Sequence, residues 1–460
     1  MNHAPGLEML VETNAVEGQW SLGQVPPDLD GTAYWNGPAR FQRGDRHYRH
    51  WLDGDGMIVA VDFRNGQARL TARYVASDKA AEEDVADGFV YRAFGTTFDD
   101  DKLIRGITTA SPVNVSVLPW RGELLAFGEQ GLPWRLDAGT LETHEQHTFG
   151  GRLNPISPLA AHPHVCPDTG QLFDFGVSFA AASPTLTLYR IEPDGTLGLR
   201  RRVPLDAPRS NHDFALGPRH AAFYLSPYVL DMRIMADGGT PMQALGWRPE
   251  IGARLLVLRR EDGEPVVDLT LDRPGYVLHL VGAYEVDGDL MVEVVELERP
   301  VYDQYWLPDL FPDDRPATLV RFRIDLDAAR VIERHELPLG GLADFPALDP
   351  AHGPEGAVWL LGIGERAPGR KFFDTVIMAN ADRDRLTTWT TEPGTYLAGE
   401  PIFAPRVGGG VVLVPRFVPE KRTSELLVFD AYAIDSGPIG VLPVPVALPT
   451  RFHGQWAERG

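Results

Sequence analysis

The chain has 460 residues, of which 43% are hydrophobic and 23% charged, and its formal net charge is −21. This excess of acid argues against nucleic-acid binding, which needs a basic surface for phosphates, and the single cysteine excludes an internal disulfide framework. No stretch reaches the roughly 20 apolar residues of a membrane-spanning helix, and the first residues lack the regions of a signal peptide, so we expect a cytoplasmic protein.

Short apolar or alternating runs, separated by turn residues, recur along the chain. The clearest runs are 122–127, 185–190, 255–258, 290–295, 357–361 and 411–414. Turns are marked by Asp-Gly at 194–195, 262–263 and 287–288, Pro-Gly at 368–369 and 393–394, and three glycines at 408–410. Runs of about four to eight residues with this punctuation predict strands joined by hairpins. Many such strands without a linker rich in Pro or Ser favour a β-propeller with divergent blades.

The stretch from Ser226 to Trp247 departs from this pattern. It mixes large apolar side chains with a few polar ones and lacks the alternation of a strand. We therefore expect helical or irregular structure there.

Four histidines lie in motifs suited to holding a metal: His162 in Ala-His-Pro-His, His212 in Asn-His-Asp-Phe, His279 in Leu-His-Leu-Val, and His453 in Arg-Phe-His-Gly. They are too far apart in sequence for a local motif such as HExxH, so a shared site must be assembled from distant segments. A propeller permits this, because strands near its axis converge from different blades. Four neutral imidazoles suit Fe(II), Cu or Zn better than Mg or Ca.

These motifs and further blocks, taken in order, resemble the carotenoid cleavage oxygenase family along most of the chain. Each block alone is weak, but the ordered set is specific. The blocks are Trp35-Asn36-Gly37-Pro38, His50 to Ile58, Gly128 to Trp134, Thr140 to Thr143, Ala161-His162-Pro163, Pro167 to Gly170, His212-Asp213-Phe214, Trp247-Arg248-Pro249, His279 to Glu285, Gly399 to Arg406 and Phe452-His453-Gly454.

The resemblance implies an all-β, seven-bladed β-propeller with a short helical or loop cap over an axial metal. We expect residues 1–460 to form this single domain, with cap segments inserted, among them about 213–250. The resemblance also implies that Fe(II) is held by His162, His212, His279 and His453. His164 is expected to be a neighbouring strand residue. Ordinary core or surface roles are expected for the remaining histidines, among them His47, His50, His220 and His352.

Three acids outside the metal ligands are implied by the same resemblance: Glu129, Asp344 and Glu400. Four neutral imidazoles leave the charge of the metal uncompensated, and each ring needs its second N–H fixed so that the correct nitrogen faces the metal. Asp344 lies in Ala-Asp-Phe-Pro, where the family usually has Glu. Aspartate is one methylene shorter, so its contact with a ring nitrogen is either direct, with the backbone closer, or bridged by water.

The implied activity is oxidative cleavage of a carbon–carbon double bond of a carotenoid or apocarotenoid with O2, which gives two carbonyl products. One alternative is a stilbene- or phenylpropene-cleaving oxygenase of the same family. The stilbene type has Lys-Glu where this chain has Gly128-Glu129, and the missing lysine counts against that alternative. A second alternative is a propeller that binds a polyene without turning it over.

The segment from Tyr224 to Met235 leaves two interpretations open. It is either ordinary buried packing or a patch near the cap that makes a peripheral membrane contact and admits a hydrophobic substrate. The sequence determines neither the substrate and its cleaved bond, nor the residues lining the tunnel, nor the oligomeric state.

Overall fold

The computed structural model describes residues 14–104, 109–179, 183–364 and 372–459. The expectation about a signal peptide concerns the first residues, and 1–13 lie outside this description, as does the predicted Pro-Gly turn at 368–369. The described residues form a seven-bladed β-propeller, as expected from the sequence. Each blade is an antiparallel sheet of four or five strands.

The first three blades take up the N-terminal part of the chain. The first contains β1 (Gly18–Gln24), β2 (Gly31–Arg40), β5 (Asp55–Arg64) and β6 (Gln67–Tyr74), with a separate hairpin of β3 (Gln42–Arg43) and β4 (Arg46–His47), and is followed by helix α1 (Asp78–Ala86). The second contains β7 (Ser116–Trp120), β8 (Glu123–Phe127), β9 (Trp134–Leu136) and β10 (Thr143–Gln146). The third contains β11 (His164–Val165), β12 (Leu172–Ser178), β13 (Thr185–Ile191) and β14 (Leu197–Pro204).

The fourth blade carries an insertion. Its strands are β15 (Ala215–Leu216), β16 (His220–Leu225), β19 (Arg254–Arg259) and β20 (Pro265–Thr270), and between β16 and β19 lie β17 (Tyr228–Leu230), α2 (Met232–Ala236), α3 (Pro241–Ala244) and β18 (Leu245–Trp247). Thr240 and Gln243 form a reciprocal capping box that starts α3. The predicted irregular stretch therefore contains two short helices inside a short β17–β18 hairpin.

The last three blades complete the ring. The fifth contains β21 (Tyr276–Val286), β22 (Asp289–Leu297), β23 (Ala317–Asp325) and β24 (Arg330–Pro338). The sixth contains β25 (Ala343–Leu348), β26 (Val358–Gly362), β27 (Thr375–Ala379) and β28 (Leu386–Thr390). The seventh contains β29 (Tyr396–Leu397), β30 (Ile402–Arg406), β31 (Gly409–Val418), β32 (Thr423–Asp430) and β33 (Gly440–Val444), and β34 (Gly454–Glu458) follows.

The β21–β22 hairpin shows how local chemistry fixes a turn. Asp287 and Gly288 connect the strands with φ angles of 52° and 91°. Two successive left-handed residues are the requirement of a type I′ turn, whose twist matches that of the flanking strands. The Asp-Gly hairpin predicted at 287–288 is thus confirmed.

The ring is closed by strand β34, which returns to the first blade. It pairs with β2, so that Trp35 faces Gly454 and Gly31 faces Glu458. Around the axis, β34 contacts β7, β15 contacts β21, β21 contacts β25, β25 contacts β30, and β30 contacts β34. These strands form the inner ring on which the candidate site is built.

Apolar side chains fill the spaces between neighbouring blades. One cluster joins the first and seventh blades through β2, β5, β6, β30, β31, β32 and β33. A second, rich in aromatic rings, extends from the fifth, sixth and seventh blades to the loops around Trp51 and Tyr305. Removing this apolar surface from water, at roughly 25 cal/mol per Å², is the main stabilising contribution to the ring.

Helical structure is sparse in the part of the chain that the structure describes. Besides α1 to α3 it contains short 3₁₀ turns at Trp51–Asp53, Pro249–Ile251, Tyr302–Gln304, Gly353–Glu355, Pro419–Lys421 and Ile434–Ser436. None of the described helices has the length and apolar character needed to cross a bilayer.

Candidate metal centre

Four histidines from different blades meet at the inner ring. One ring nitrogen from each of His162, His212, His279 and His453 lies within 4.8 Å of those of the other three. The Nε2 atoms of His162 and His212 are 2.9 Å apart, and the ring centroids of His162 and His453 are 4.4 Å apart. The structure thus brings together the four residues that the sequence singled out.

Inner strands, or the residues just before them, carry these side chains. His162 and His212 lie shortly before β11 and β15, His279 lies in β21, and His453 directly precedes β34. Because inner strands of successive blades converge around one axis, residues far apart in sequence reach the same point.

An irregular stretch of β21 surrounds His279. The pairing with β22 shifts register between Val277 and Leu280, and again between Leu280 and Gly282. Such bulges re-aim side chains and interrupt the ladder. The backbone N–H of Leu280 donates to Oδ2 of Asp213 at 2.7 Å, and Oδ1 of Asp213 accepts the N–H of Phe214 at 2.7 Å. Asp213 therefore ties the strand that carries His279 to the segment that carries His212.

Asp344 contacts His279 directly. Its Oδ1 lies 2.7 Å from the Nδ1 of His279, and both side chains are buried. The sequence left open whether the shorter acid needs a water bridge. The answer lies in β25, whose pairing with β26 shifts register between Asp344 and Ala347, so that the carboxylate reaches the ring.

Glu129 and Glu400, the other two acids, contact His212 and His453. Oε2 of Glu129 lies 2.7 Å from Nδ1 of His212. Oε1 of Glu400 lies 3.1 Å from Nδ1 of His453, while its Oε2 accepts the backbone N–H of Gly454 at 2.7 Å. In two rings, those of His279 and His453, an acid therefore accepts from Nδ1 and leaves Nε2 for another ligand. In a third ring, the carboxylate of Glu129 lies beside Nδ1 of His212.

His162 differs from the other three histidines. The nearest acid to its Nδ1 among the described residues is Asp213 at 3.6 Å, beyond hydrogen-bond distance, and both oxygens of that carboxylate already accept backbone N–H groups. His164 stands apart from the cluster: its Nε2 donates to the backbone oxygen of Phe214 at 2.9 Å, and its side chain is 40% exposed.

Burial and the nearby acids set the protonation of the rings. Burial, reinforced by the neighbouring histidines, lowers the pKa of His162 well below its usual value. Burial also lowers the pKa of His453 to about 4, against the opposing effect of Glu400. For His279 burial again lowers the pKa, but the charge and hydrogen bond of Asp344 outweigh it and leave the pKa raised. His162 and His453 are therefore neutral at pH 7, the form that binds metals.

The cluster fits a transition metal. Nε2 of His279 is buried and has no hydrogen-bond partner in the described part of the chain, an arrangement that costs free energy unless a ligand satisfies the nitrogen. A set of four imidazoles suits Fe, Cu, Zn or Ni, whereas Mg and Ca prefer oxygen ligands.

Phe345 forms an apolar wall beside His279 and His453. Its ring centroid lies 5.4 Å from those of both His279 and His453, and Phe373 packs against it at 5.6 Å. Phe345 has a φ of 61°, which is costly for a bulky residue and is found where the surrounding structure enforces it.

Tyr302 borders the cluster on the side of His212. Its hydroxyl lies 3.4 Å from Nδ1 of His212, and its ring contacts Phe94 at 5.3 Å and Tyr305 at 5.9 Å. Aromatic side chains thus flank the histidines on two sides.

Three of these residues escaped the sequence analysis as site residues. Asp213 and Phe345 could have been found, since each directly follows a residue already assigned to the site. Tyr302 carries no local signal, because only the folding of its loop places it against His212.

Comparison with known proteins finds relatives along almost the whole chain. Residues 7–458 match the family model of the retinal pigment epithelial membrane protein, RPE65. The chain is 29% identical to apocarotenoid-15,15'-oxygenase of Synechocystis over 95% of its length and 92% of that protein. It is 27% identical to isoeugenol monooxygenase of Pseudomonas nitroreducens over 95% and 94%, and 28% identical to resveratrol cleavage oxygenase 1 of Aspergillus fumigatus over 96% and 93%.

Solved structures give the same picture. A variant of Synechocystis apocarotenoid oxygenase superposes with a TM-score of 0.89 at 26% identity and covers 100% of both chains. The cobalt-substituted form of that enzyme superposes with a TM-score of 0.88 at 26% identity and covers 99% of both chains.

Proposed function

The chain belongs to the RPE65 family of carotenoid cleavage oxygenases, and we propose that its four histidines bind Fe(II) and that the centre cleaves a carbon–carbon double bond of an apocarotenoid with O2. Membership makes it an oxygenase that acts on carbon–carbon double bonds. The metal and the residues that hold it are our proposal. The observation that carries the proposal is the convergence of His162, His212, His279 and His453.

The acids position the ligands and balance their charge. Asp344 and Glu400 accept the Nδ1–H groups of two rings and so fix the tautomer in which Nε2 faces the centre. Glu129 places its carboxylate beside Nδ1 of His212. Their negative charges offset that of a divalent ion. A bound ferrous ion would supply the electrons that activate dioxygen for addition to an alkene.

The surroundings of the centre suit a long apolar substrate. Phe345 and Tyr302 approach the histidines from two sides, and further buried aromatic rings extend away from each of them. Such walls would take up a polyene through apolar contact alone. Their position along the polyene would then select which double bond is cleaved.

Gly128 favours a polyene over a phenol. A Cβ at this position would lie 2.0 Å from Oγ of Ser111 and 3.1 Å from the backbone nitrogen of Val113. The hydroxyl of Ser111, which accepts from the backbone N–H of Val113 at 3.2 Å, therefore occupies the space that a side chain at position 128 would need. A lysine there would require this hydroxyl to move. A phenolate would lack this charge partner, whereas a polyene needs none.

A phenylpropene or stilbene substrate is the second candidate. It is supported by the identities of 27% and 28% to isoeugenol and resveratrol oxygenases, close to the 29% to the apocarotenoid enzyme. Overall identity at this level does not choose between the two, so the absence of a cation at position 128 decides our preference.

We also propose, for the whole chain, one domain in which the segment between β16 and β19 forms part of a cap. Tyr228 and Leu230 of this segment are buried, but Ile234 on α2 is 38% exposed. Ile234 is our choice for a peripheral membrane contact of a cytoplasmic protein. Weaker co-sedimentation of the Ile234→Asp variant with neutral liposomes supports this contact, and unchanged co-sedimentation contradicts it.

Product analysis tests the proposed reaction. Iron-loaded protein is incubated with a panel of apocarotenals, carotenoids, isoeugenol and resveratrol, and fragments are identified by mass. We expect two carbonyl fragments from an apocarotenal, with oxygen from ¹⁸O2 in the products. Turnover of the phenols alone would favour the second candidate, and retention of an unchanged polyene would make the protein a binding module.

A matched pair of variants links the reaction to the centre. His162→Ala should abolish both iron binding and product formation. His164→Ala, two residues away and outside the cluster, should leave both intact. Loss of iron in the second variant with retention in the first would reverse the assignment of the ligand.

A further inference from the structure

The segment between β16 and β19, residues 226–253, leaves and re-enters the fourth blade at neighbouring points. Leu225 ends β16 and Arg254 begins β19, and these two residues face each other in the sheet. We call residues 226–253 the cap segment. Its orientation relative to the propeller therefore depends on how firmly its two ends are held.

The buried side chain of Arg209 holds both ends of the cap segment. Its Nη1 donates to the backbone oxygens of Leu225 at 3.2 Å and Gly252 at 2.8 Å. Its Nη2 donates to the backbone oxygen of Ile251 at 3.3 Å. Nε and Nη2 also donate to the two oxygens of Asp206, at 2.9 and 2.7 Å. Each of the five N–H groups of the guanidinium thus has an acceptor, and we call this set of bonds the Arg209 clamp.

Asp206 supplies the negative charge that balances Arg209. Burial acts to raise the pKa of Asp206, but the hydrogen bond and charge of Arg209, together with those of Arg254, outweigh it and lower the pKa to about 2. The pair therefore stays ionised at neutral pH. Its planar fork fixes orientation as well as distance, and a lysine, which donates from a single nitrogen, could not reproduce it.

The backbone at Arg209 joins the cap segment to the chain that carries His212. Arg209 and Val229 form an antiparallel bridge, and the N–H of Ser210 donates to the oxygen of Tyr228 at 2.7 Å. His212 follows two residues after Ser210. Three residues of extended chain span roughly 10 Å at most, so one short stretch carries both the Arg209 clamp and a histidine of the centre.

Tyr228 brings the cap segment to the aromatic side of the centre. Its ring centroid lies 5.8 Å from that of Tyr276 and 6.3 Å from that of Tyr302. The hydroxyl of Tyr302 in turn lies 3.4 Å from Nδ1 of His212. A displacement of the cap segment would therefore disturb the aromatic wall beside the histidines.

We propose that Arg209 is a positioning residue, which holds the cap segment in place and so determines which double bond of a polyene lies beside the metal. The inference rests on the proposed function, because it takes a polyene as the substrate. Arg209 acts through Tyr228 and Tyr302 rather than by contact with the substrate. A shift of the wall by about 1 Å is enough to misplace a reacting bond and cost a large factor in rate.

Arg383 offers a matched control. This arginine is also buried and donates to both oxygens of Glu293, at 2.7 and 2.8 Å. Its further acceptors are backbone oxygens of the sixth blade, those of Pro354, Gly356 and Asn380. Arg383→Lys therefore disrupts the same kind of clamp at a place remote in sequence from the cap segment, and it should lower Tm about as much as Arg209→Lys does.

Hydrogen exchange of the metal-free protein tests the clamp without any reaction. Arg209→Lys should raise the exchange rate of the amides of 228–247 by about 10-fold or more, whereas Arg383→Lys should leave them at the wild-type rate. Asp206→Asn keeps one of the two carboxylate oxygens and should show a smaller increase, which decides the matter if Arg209→Lys does not fold. Wild-type exchange of 228–247 in the variants of Arg209 and Asp206 would overturn the proposal.

Kinetics and product analysis then separate a positioning role from a merely structural one. At equal iron content, Arg209→Lys should raise KM for an apocarotenal about 10-fold, with a smaller change in kcat, and should give fragments from a second double bond. Arg383→Lys should keep the KM and the fragments of the wild type.

The outcomes of this second test are distinct. A cap segment that exchanges faster in Arg209→Lys, with KM and fragments unchanged, would overturn the positioning role alone. A wild type that forms no fragments from any polyene would overturn the proposed function, and this role with it.

Discussion

Two acid–histidine pairs of the centre have the same oxygen–nitrogen distance in different surroundings. Asp344 lies 2.7 Å from His279, and Glu129 lies 2.7 Å from His212. The side chain of Asp344 is 6% exposed, whereas that of Glu129 is 29% exposed. We call them the enclosed pair and the open pair.

The comparison teaches that distance alone does not set the strength of such a contact. Water near the open pair screens its charges, while the enclosed pair interacts through a less polarisable medium. The pKa of His279 is raised although burial acts to lower it, which shows how strongly Asp344 acts on its ring. The contact between acid and ring should therefore contribute more in the enclosed pair.

The largest contrast is expected when each histidine is removed. His279→Ala and His212→Ala should both lose most of their iron, but only the first leaves a buried carboxylate without its imidazole, held among the described residues by the backbone N–H of Phe345 alone. Breaking such a buried pair costs about 3–5 kcal/mol, so apo His279→Ala should unfold at clearly lower denaturant concentration than apo His212→Ala. The double variant His279→Ala/Asp344→Ala should recover part of the lost stability. Equal stability of the two single variants would contradict the distinction between the enclosed and the open pair.

Removing the acid charge should give the next largest effect. Outer partners of metal ligands are worth about 10–100-fold in metal affinity, and we place Asp344→Asn near the upper end and Glu129→Gln near the lower. Competition with a chelator, with Co(II) as a spectroscopic substitute, measures both. The reverse order would mean that solvent exposure does not weaken the open pair.

His50, which lies near the open pair, provides a test of how the stability of the fold depends on pH. It is fully buried; its Nε2 donates to the backbone oxygen of Tyr302 at 2.8 Å and its Nδ1 accepts from Leu52. Burial lowers its pKa to about 4, despite the opposing hydrogen bond to Tyr302. The unfolded chain takes up this proton near pH 6.5 and the folded chain only near pH 4, so stability falls as pH falls between these values.

The slope from this one group is about 1.4 kcal/mol per pH unit. His50→Gln should remove it from denaturant curves recorded between pH 4 and 6.5. Iron content at pH 7 should stay unchanged, because His50 is not a ligand. An unchanged slope in the variant would show that His50 does not titrate as its burial predicts.

The smallest contrast concerns the aromatic neighbours. Phe345 packs on both His279 and His453, while the hydroxyl of Tyr302 approaches His212 only to 3.4 Å. Loss of an aromatic contact is worth about 0.5–1.5 kcal/mol, so Phe345→Leu should lower kcat/KM for an apocarotenal about 3–10-fold at unchanged iron content. Tyr302→Phe keeps its ring and should change kcat/KM less; a larger effect there would assign the hydroxyl a role in the reaction.

Much of this architecture could be predicted from local sequence. Alternating apolar runs indicate strands because side chains alternate across a sheet, and Asp287-Gly288 predicts its turn because both residues adopt positive φ readily. The grouping of His162, His212, His279 and His453 was predicted through their motifs and resemblance to a family. Local periodicity would not have linked them.

The direct contact of Asp344, the role of Asp213 and the placement of Tyr302 were not predictable in this way. Asp344 reaches His279 through a bulge in β25. Asp213 has its role because the bulged β21 directs the N–H of Leu280 towards its carboxylate. Register shifts of this kind depend on how two strands meet, not on the residues of one of them.

The sequence by itself determined the strands, their turns and the chemical types of the side chains at the centre, because these follow from preferences that act over a few residues. Only the tertiary structure decided which groups are enclosed and which charges find partners. Asp344 and Glu129 are both carboxylates next to imidazoles, yet the first is enclosed and the second is partly exposed. Arg416 pairs with Glu425, whereas the buried Nε of Arg451 has no hydrogen-bond partner among the described residues. The reason is that burial and pairing are set by the packing of whole blades and the closure of the ring, which join residues hundreds of positions apart.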